Sequence, residues 1–181
     1  MNIEETFLKG CFIIKPLLIR DSRGYFYESY HKQKFFEQTG KEIDFVQDNE
    51  SLSKYGVVRG LHMQIGQYAQ AKLVRVISGK ILDVAVDVRE NSPTYGKCFS
   101  IEISDENKLQ LFIPEGFLHG FSVLSEHATV FYKCNNFYDK ASERGVNPLD
   151  TDLNIDWKIP VEEMTISDKD KTSVMLKDLV F

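Results

Sequence analysis

The chain has 181 residues, of which 43% are hydrophobic and 27% charged. This suits one globular domain and excludes a disordered or low-complexity chain. Its 22 basic and 27 acidic residues give a net charge of −5, which argues against a protein that binds nucleic acid or anionic membranes over its whole surface. The balance leaves room for a small anionic ligand held by a few local cations.

The cysteines and the N-terminus indicate a compartment. Cys11, Cys98 and Cys134 are odd in number and form no CxxC, so their spacing predicts neither a disulfide framework nor a thiolate metal site. The first ten residues include Glu4 and Glu5 and lack the apolar stretch of a signal peptide. No run approaches the ~20 apolar residues of a membrane-spanning helix. We therefore expect a soluble protein of the reducing cytoplasm.

Short strands account for most of the chain, because runs rich in β-branched and aromatic residues alternate with breaks at Gly, Pro, Asn, Asp or Ser. In the clearest run, four aliphatic residues from Leu82 to Val88 share one face. Gly79 separates two runs and predicts a hairpin turn. The candidate strands are Cys11–Ile19, Gly24–Tyr30, Phe45–Ser51, Val57–Gln64, Ala71–Ser78, Lys80–Arg89, Lys97–Ile103, Gln110–Ile113, Gly116–Leu124 and Thr129–Asn136.

Helix is scarce in this pattern. His31–Thr39 is a short candidate that Gly40 would end, and Ser167-x-x-Asp170 has the spacing of a capping box at the start of another. Many short strands with little helix predict an all-β fold, an antiparallel sandwich or jelly roll of the kind that includes cupins. We expect one domain over residues 1–181. The strand pattern fades after about residue 137, so the rest is expected to wrap the sheets as a C-terminal tail.

The histidine spacing argues against ordinary cupin metal chemistry. Such a site uses two His one residue apart on a strand, with further His or carboxylate ligands. His62 is followed by Met63 and Gln64, and the chain contains no HxH. The sequence therefore disfavours a metal-dependent oxygenase or isomerase.

His62 and Tyr132 each allow two interpretations. His62, in a strand-like run, is either a partly buried histidine bonded to a neighbour or a general base, since an imidazole accepts a proton near neutral pH. Tyr132 is either a core tyrosine or an acid. A base also needs an orienting carboxylate and, for inversion of a stereocentre, an acid on the opposite face. The sequence alone does not pair these groups.

Strand alternation constrains the cations. Lys72 and Arg75 fall on opposite faces of one predicted strand, so only one should point inward unless a bulge intervenes. An inward Lys is costly unless it meets an anion, which favours a functional role for it. Arg59 and His62 are also three residues apart, so regular alternation would put them on opposite faces. If both line one pocket, Gly60 is the expected bulge.

Asp170 and His119 also each allow a structural and a functional interpretation. Asp170 fits as the third helical residue of the Ser167 capping box and equally as a functional carboxylate. His119 stands among Gly and aromatic residues, which suits close approach to a ligand and also an ordinary tight turn. His31 and His127 are expected at the surface.

Eight segments, read in order, resemble the dTDP-4-dehydrorhamnose 3,5-epimerase family over nearly the whole chain. Each is weak alone, but their order and spacing together are specific. They are Asp21-Ser22-Arg23-Gly24-Tyr25-Phe26-Tyr27-Glu28, Phe45-Val46-Gln47-Asp48-Asn49, Gly56-Val57-Val58-Arg59-Gly60-Leu61-His62, Gln70-Ala71-Lys72-Leu73-Val74-Arg75-Val76, Asp83-Val84-Ala85-Val86-Asp87-Val88-Arg89, Ser92-Pro93-Thr94-Tyr95-Gly96, Pro114 through Phe121, and Tyr132-Lys133.

The resemblance implies a metal-free cupin jelly roll without a cofactor, usually a homodimer that exchanges an N-terminal strand. It implies an isomerase that inverts C3 and C5 of dTDP-4-dehydro-6-deoxy-D-glucose, in deoxysugar (L-rhamnose) biosynthesis. By position, His62 matches the base, Asp170 the carboxylate that orients it, Tyr132 the acid and Lys72 the cation at the 4-keto oxygen. The positions that match the substrate site are Arg23, Phe26, Glu28, Gln47, Asn49, Arg59, His119, Tyr138, Glu143 and Lys169.

Two alternatives stay open at this stage. One is an epimerase that inverts C3 or C5 alone on a related dTDP-4-keto-6-deoxysugar. The other, of a different class, is a jelly roll that binds a sugar nucleotide without catalysis. Substitution of His62 would leave every activity of such a binding protein unchanged.

Overall fold

Two antiparallel sheets packed face to face form a jelly-roll sandwich in the computed structural model, which describes residues 1–181. The first sheet has the strand order β1-β2-β10-β7-β12-β5, and the second has the order β13-β6-β11-β8-β9 with β14 parallel to β6. A separate hairpin joins β3 to β4. The strands are β1 Asn2–Glu5, β2 Phe12–Lys15, β3 Ile19–Asp21, β4 Gly24–Phe26, β5 Gln47–Lys54, β6 Val57–Gln64, β7 Lys72–Ser78, β8 Lys80–Asp87, β9 Cys98–Ser104, β10 Gln110–Ile113, β11 Phe117–Val123, β12 His127–Cys134, β13 Glu143–Gly145 and β14 Thr165–Ile166.

The all-β class is confirmed, and the central strands match their predictions best. Val57–Gln64 and Gln110–Ile113 have the predicted bounds. The prediction of one strand over Cys11–Ile19 is wrong, because the chain leaves the first sheet after Lys15 and forms β3 only from Ile19. Pro16 follows Lys15 and has no N–H to donate to a ladder. The sequence also missed three short edge strands, β1, β13 and β14.

The predicted hairpin at Gly79 is wrong. β7 belongs to the first sheet and β8 to the second, so Gly79 is a corner where the chain passes between sheets. Its φ is +86°, and a Cβ there would lie 2.0 Å from the carbonyl oxygen of His127. A positive φ and the absence of space both require glycine, and neither feature distinguishes a corner from a hairpin in the sequence.

Strand β8 is buried on both faces because the C-terminal segment covers the second sheet. Its alternation is as predicted: Ile81 and Ala85 face the core between the sheets, and Leu82 and Val84 face the opposite side. That outer side packs against residues from the C-terminal segment, among them Trp157. The chain after residue 137 therefore lies on the second sheet and reaches its edge.

Two helices complete the fold. Helix α1, Lys32–Thr39, confirms the first prediction, with Gly40 in the left-handed conformation at its end. Its Phe35 packs against Phe12 and Phe112 on the outer face of the first sheet. Helix α2, Asp168–Lys171, begins at the predicted cap Ser167. Neither helix has the length and apolar character needed to cross a bilayer.

Candidate active site

A cleft of about 440 Å³ opens between the two sheets, and seven of the predicted site residues line it. The first sheet contributes residues of β7 and β12, and the second contributes residues of β6 and β11. Helix α2 closes one side. The seven predicted residues are Arg59, His62, Lys72, His119, Tyr132, Lys169 and Asp170.

A bulge in β6 allows Arg59 and His62 to face the same cleft. His62 pairs with His119 and Arg59 with Phe121. Between these two pairs β6 therefore contains one residue more than β11. Gly60, predicted as the bulge, has a φ of +110°, and a Cβ there would lie 2.6 Å from the carbonyl oxygen of His119. The strands approach so closely that only glycine fits, which confirms the prediction.

His62 forms a pair with Asp170, 108 residues away in the chain. Its Nε2–H donates to the Asp170 Oδ1 at 2.7 Å, and Nδ1 makes no hydrogen bond to the protein. The His62 side chain is 30% exposed and that of Asp170 only 5%. Nε2–H donation leaves Nδ1 as the nitrogen that accepts a proton, and the carboxylate fixes the ring in this tautomer.

Asp170 takes part both in the helix cap and in the cleft, and its functional role stays a prediction. The Ser167 hydroxyl caps α2 by accepting from the Asp170 backbone N–H at 3.1 Å. The carboxylate does not complete the capping box and instead accepts from His62 and from the Gly60 N–H at 3.3 Å. Burial alone would raise the pKa of Asp170, but these hydrogen bonds hold it below its ordinary value.

Tyr132 and Lys72 occupy the wall opposite His62. Both side chains point inward from the first sheet, while Arg75 points outward to the Tyr27 hydroxyl, as alternation predicts. Burial raises the pKa of Tyr132, so its hydroxyl keeps its proton near neutral pH. Burial lowers the pKa of Lys72. The Lys72 ammonium has no hydrogen-bond partner in the protein and is available to an anion.

A second histidine–carboxylate pair lies deeper in the same cleft. His119 Nε2–H donates to the Asp83 Oδ1 at 2.7 Å, and the two side chains are 7% and 0% exposed. Burial is the main cause that lowers the pKa of His119, and the positive groups at Lys72 and His62 lower it further. His119 is therefore a neutral imidazole. Asp83 could not be identified as a site residue from the sequence, because the alternation of β8 is that of a core strand.

A smaller adjoining cleft of about 280 Å³ contains four more predicted residues: Gln47, Asn49, Tyr138 and Glu143. Glu143 accepts hydrogen bonds from the Tyr138 hydroxyl at 2.8 Å and from the Lys169 ammonium. Burial alone would raise the pKa of Glu143, and these two donors hold it below its ordinary value. The pairing ties the loop before β13 to α2 at the mouth of the site.

Strand β5 supplies polar groups that the sequence analysis did not single out. Ser53 is buried, and its hydroxyl accepts from the Arg59 Nε–H at 3.0 Å, which aims the guanidinium along the cleft. Ser51 also lines the cleft. The alternation of Gln47, Asn49, Ser51 and Ser53 on one face of a strand could have identified this wall, since an inward polar face requires partners.

Three predicted residues lie outside the clefts of their own chain. Arg23 is 88% exposed in the β3–β4 hairpin and pairs with Asp21. Phe26 is 68% exposed. Glu28 pairs with Lys34. A role for these residues in the site of a partner subunit stays a prediction.

The arrangement suits proton transfer at carbon next to a carbonyl. An imidazole on one wall, and a protonated hydroxyl and an unpaired ammonium on the other, are the groups that enolate chemistry requires. No three His, Cys, Asp or Glu side chains lie where they could share a metal ion. The cations at Arg59 and Lys169 suit an anionic part of the same ligand.

Comparison with known proteins agrees with this chemistry. The family profile described as dTDP-4-dehydrorhamnose 3,5-epimerase matches residues 5–178. An enzyme of that name from Shigella flexneri is 50% identical over 94% of this chain and 93% of its own length. The crystal structure of the Elizabethkingia anophelis NUHP1 enzyme is 56% identical, with a TM-score of 0.95 and coverage of 98% of this chain and 97% of that one.

A solved structure with a bound sugar nucleotide is also similar. The Legionella pneumophila Philadelphia 1 epimerase, in complex with dTDP-4-keto-L-rhamnose, is 44% identical with a TM-score of 0.94. The alignment covers 99% of this chain and 94% of that one. The chain therefore belongs to the dTDP-4-dehydrorhamnose 3,5-epimerase family.

Proposed function

We propose that the protein inverts C3 and C5 of dTDP-4-dehydro-6-deoxy-D-glucose to give dTDP-4-dehydro-L-rhamnose, as a step of L-rhamnose biosynthesis. The observation that carries this proposal is the placement of the His62–Asp170 pair and Tyr132 on opposite walls of one cleft, with the unpaired Lys72 ammonium on the same wall as Tyr132. Inversion at carbon requires removal of a proton from one face and delivery to the other, and this geometry provides both.

Each inversion proceeds through an enolate at C4. The His62 Nδ1 removes the proton next to the ketone, the C–H electron pair forms the C=C bond, and the carbonyl π electrons move to the oxygen. The Lys72 ammonium donates to that oxygen. Tyr132 then delivers its hydroxyl proton to the carbon from the opposite face and regains one from solvent. C3 and C5 both flank C4, so the same groups serve both centres.

The nucleotide part of the substrate fits the cations and the mouth of the cleft. Arg59, aimed by Ser53, and Lys169 on α2 are placed to bind a diphosphate. Tyr138 is exposed at the mouth and offers an aromatic face for a planar base. Gln47, Asn49 and Glu143 offer hydrogen bonds to the sugar hydroxyls. A net charge of −5 is compatible with this ligand because the positive charge is local.

The working unit proposed is a homodimer in the cytoplasm. The β3–β4 hairpin is exposed along all six of its strand residues, including Ile19, Tyr25 and Phe26, which suits burial against a second copy. Exchange of this hairpin would bring Arg23 to the partner's cleft. All three cysteines are free, in keeping with a reducing compartment.

Incubation with dTDP-4-keto-6-deoxyglucose in deuterated water tests the function. We expect deuterium at both C3 and C5, read by NMR, together with the inverted product. Deuterium at one centre alone would identify a one-centre epimerase. Binding of the nucleotide sugar without any exchange would contradict the enzyme and favour a binding protein.

A further inference from the structure

Lys72 is a half-buried cation without a bonded counter-ion. Its ammonium donates no hydrogen bond to the protein, and desolvation lowers the pKa of Lys72. An ammonium that loses its charge cannot stabilise an enolate. A negative group in the interior favours the charged form of Lys72 before the substrate arrives.

Asp83 is a buried carboxylate with one oxygen that accepts no hydrogen bond. Its side chain is fully buried, Oδ1 accepts from His119, and Oδ2 has no hydrogen-bond donor. Because His119 is neutral, the Asp83–His119 hydrogen bond does not cancel the negative charge of the carboxylate. The unpartnered Oδ2 is not explained by the packing of β8, where an apolar residue would fill the same position.

Both groups point into the space between the two sheets, and Asp83 is bonded to His119, which lines the same cleft as Lys72. Asp83 shares the inward face of β8 with Ile81 and Ala85, and Lys72 shares the inward face of β7 with Val74. The other titratable groups around Lys72 are Cys134 and Tyr132 from β12, His62 from β6, His119 from β11 and Glu143 from β13. Glu143 is the one other carboxylate near Lys72, and it is already bound by Lys169 and Tyr138.

We propose that Asp83 is the counter-ion of Lys72 and keeps it charged for the reaction. Asp83 is a positioning residue in this sense, since it acts through Lys72 and does not touch the sugar. The inference rests on the proposed function for its consequence in catalysis, but the charge pairing itself is a property of the free protein.

NMR titration of Lys72 tests the pairing without substrate. Protein labelled with ¹³C at lysine Cε is titrated as wild type and as Asp83→Asn, and the Lys72 signal is assigned by its absence in Lys72→Arg. Asn retains an oxygen for the His119 N–H and removes only the charge. We expect the Lys72 pKa to fall by about one pH unit or more, the effect of a nearby opposite charge. The matched control is Glu102→Gln, an exposed carboxylate on the neighbouring strand β9, which should leave Lys72 unchanged.

The pH profile of activity gives a second readout. We expect kcat/KM to fall at alkaline pH as Lys72 loses its charge, and in Asp83→Asn this fall should move to lower pH by the same amount. The arginine in Lys72→Arg does not titrate in this pH range. Adding Asp83→Asn to that variant should therefore leave the alkaline side of its pH profile unshifted. A merely structural role for Asp83 would lower activity equally at all pH values and in both backgrounds.

The outcomes separate the two proposals. An unchanged Lys72 pKa in Asp83→Asn overturns the counter-ion role whatever the activity is. A shifted Lys72 pKa in a protein that exchanges no deuterium with the dTDP-sugar upholds the pair and overturns the proposed function. If Asp83→Asn does not fold, the double variant with Lys72→Met should fold again, because it removes the unbalanced ammonium. A double variant as unfolded as the single one would contradict the pair.

Discussion

The two histidine–carboxylate pairs have the same bond and different surroundings. His62–Asp170 and His119–Asp83 both have an Nε2–Oδ1 distance of 2.7 Å. His62 is 30% exposed at the cleft, whereas His119 is 7% exposed among the core residues of β11. An imidazole at the cleft surface can take a proton and release it to solvent, while burial disfavours the charged form of His119. Identical pairs therefore acquire different roles from burial.

Removal of the exposed histidine should have the largest effect on catalysis. We expect His62→Ala to lower kcat by about 10²–10⁴-fold, the usual contribution of a positioned base, with exchange lost at both C3 and C5. Steady-state kinetics and deuterium incorporation measure this. Exchange that persists at either carbon would show that a second base exists and would break the comparison.

Tyr132→Phe should separate exchange from inversion. Without the hydroxyl, His62 can still remove a proton and return deuterium to the same face, so washout should continue while inversion falls by about 10²-fold or more. The measurement is the ratio of deuterium incorporation to epimerised product. Equal loss of both would mean that Tyr132 is needed to form the enolate, contrary to its role as the acid.

The buried pair should matter more for stability than the exposed one. His119→Ala leaves the fully buried Asp83 without its donor and should cost about 3 kcal/mol of the free energy of unfolding. His62→Ala opens Asp170 to water in the cleft and should cost about 1 kcal/mol or less. Urea unfolding of the two variants at one pH compares them. Equal losses would show that burial does not distinguish the pairs.

The smallest expected effect concerns Ser53. Ser53→Ala removes the acceptor of the Arg59 Nε–H, and a lost hydrogen bond of about 1 kcal/mol predicts roughly a fivefold rise in KM. The value of kcat should stay within about twofold, because the reacting groups lie elsewhere. A fall in kcat with KM unchanged would instead link Ser53 to the proton-transfer groups.

Local rules explain what could be predicted. The alternation that turns Lys72 inward and Arg75 outward, the cap at Ser167, the glycine that ends α1 and the bulge at Gly60 each depend on a few neighbouring residues, and all are present in the structure. The resemblance singled out four residues as candidates for catalysis, and the fold brings all four to one cleft. Asp83 was missed because a single buried polar residue on an apolar strand face has no local signature until its partner is known, whereas Ser53 belongs to a polar face that alternation could have identified.

The sequence by itself determined the all-β class, the face that each strand residue presents and the family of the chain. The tertiary structure alone decided which sheet each strand joins, as the corner at Gly79 shows, and which distant residues meet, as His62 and Asp170 do across 108 positions. It also decided that one histidine is exposed at the cleft while the other is buried. The physical reason is that alternation and capping are set within a few residues, whereas sheet pairing and desolvation depend on every strand packed around the site.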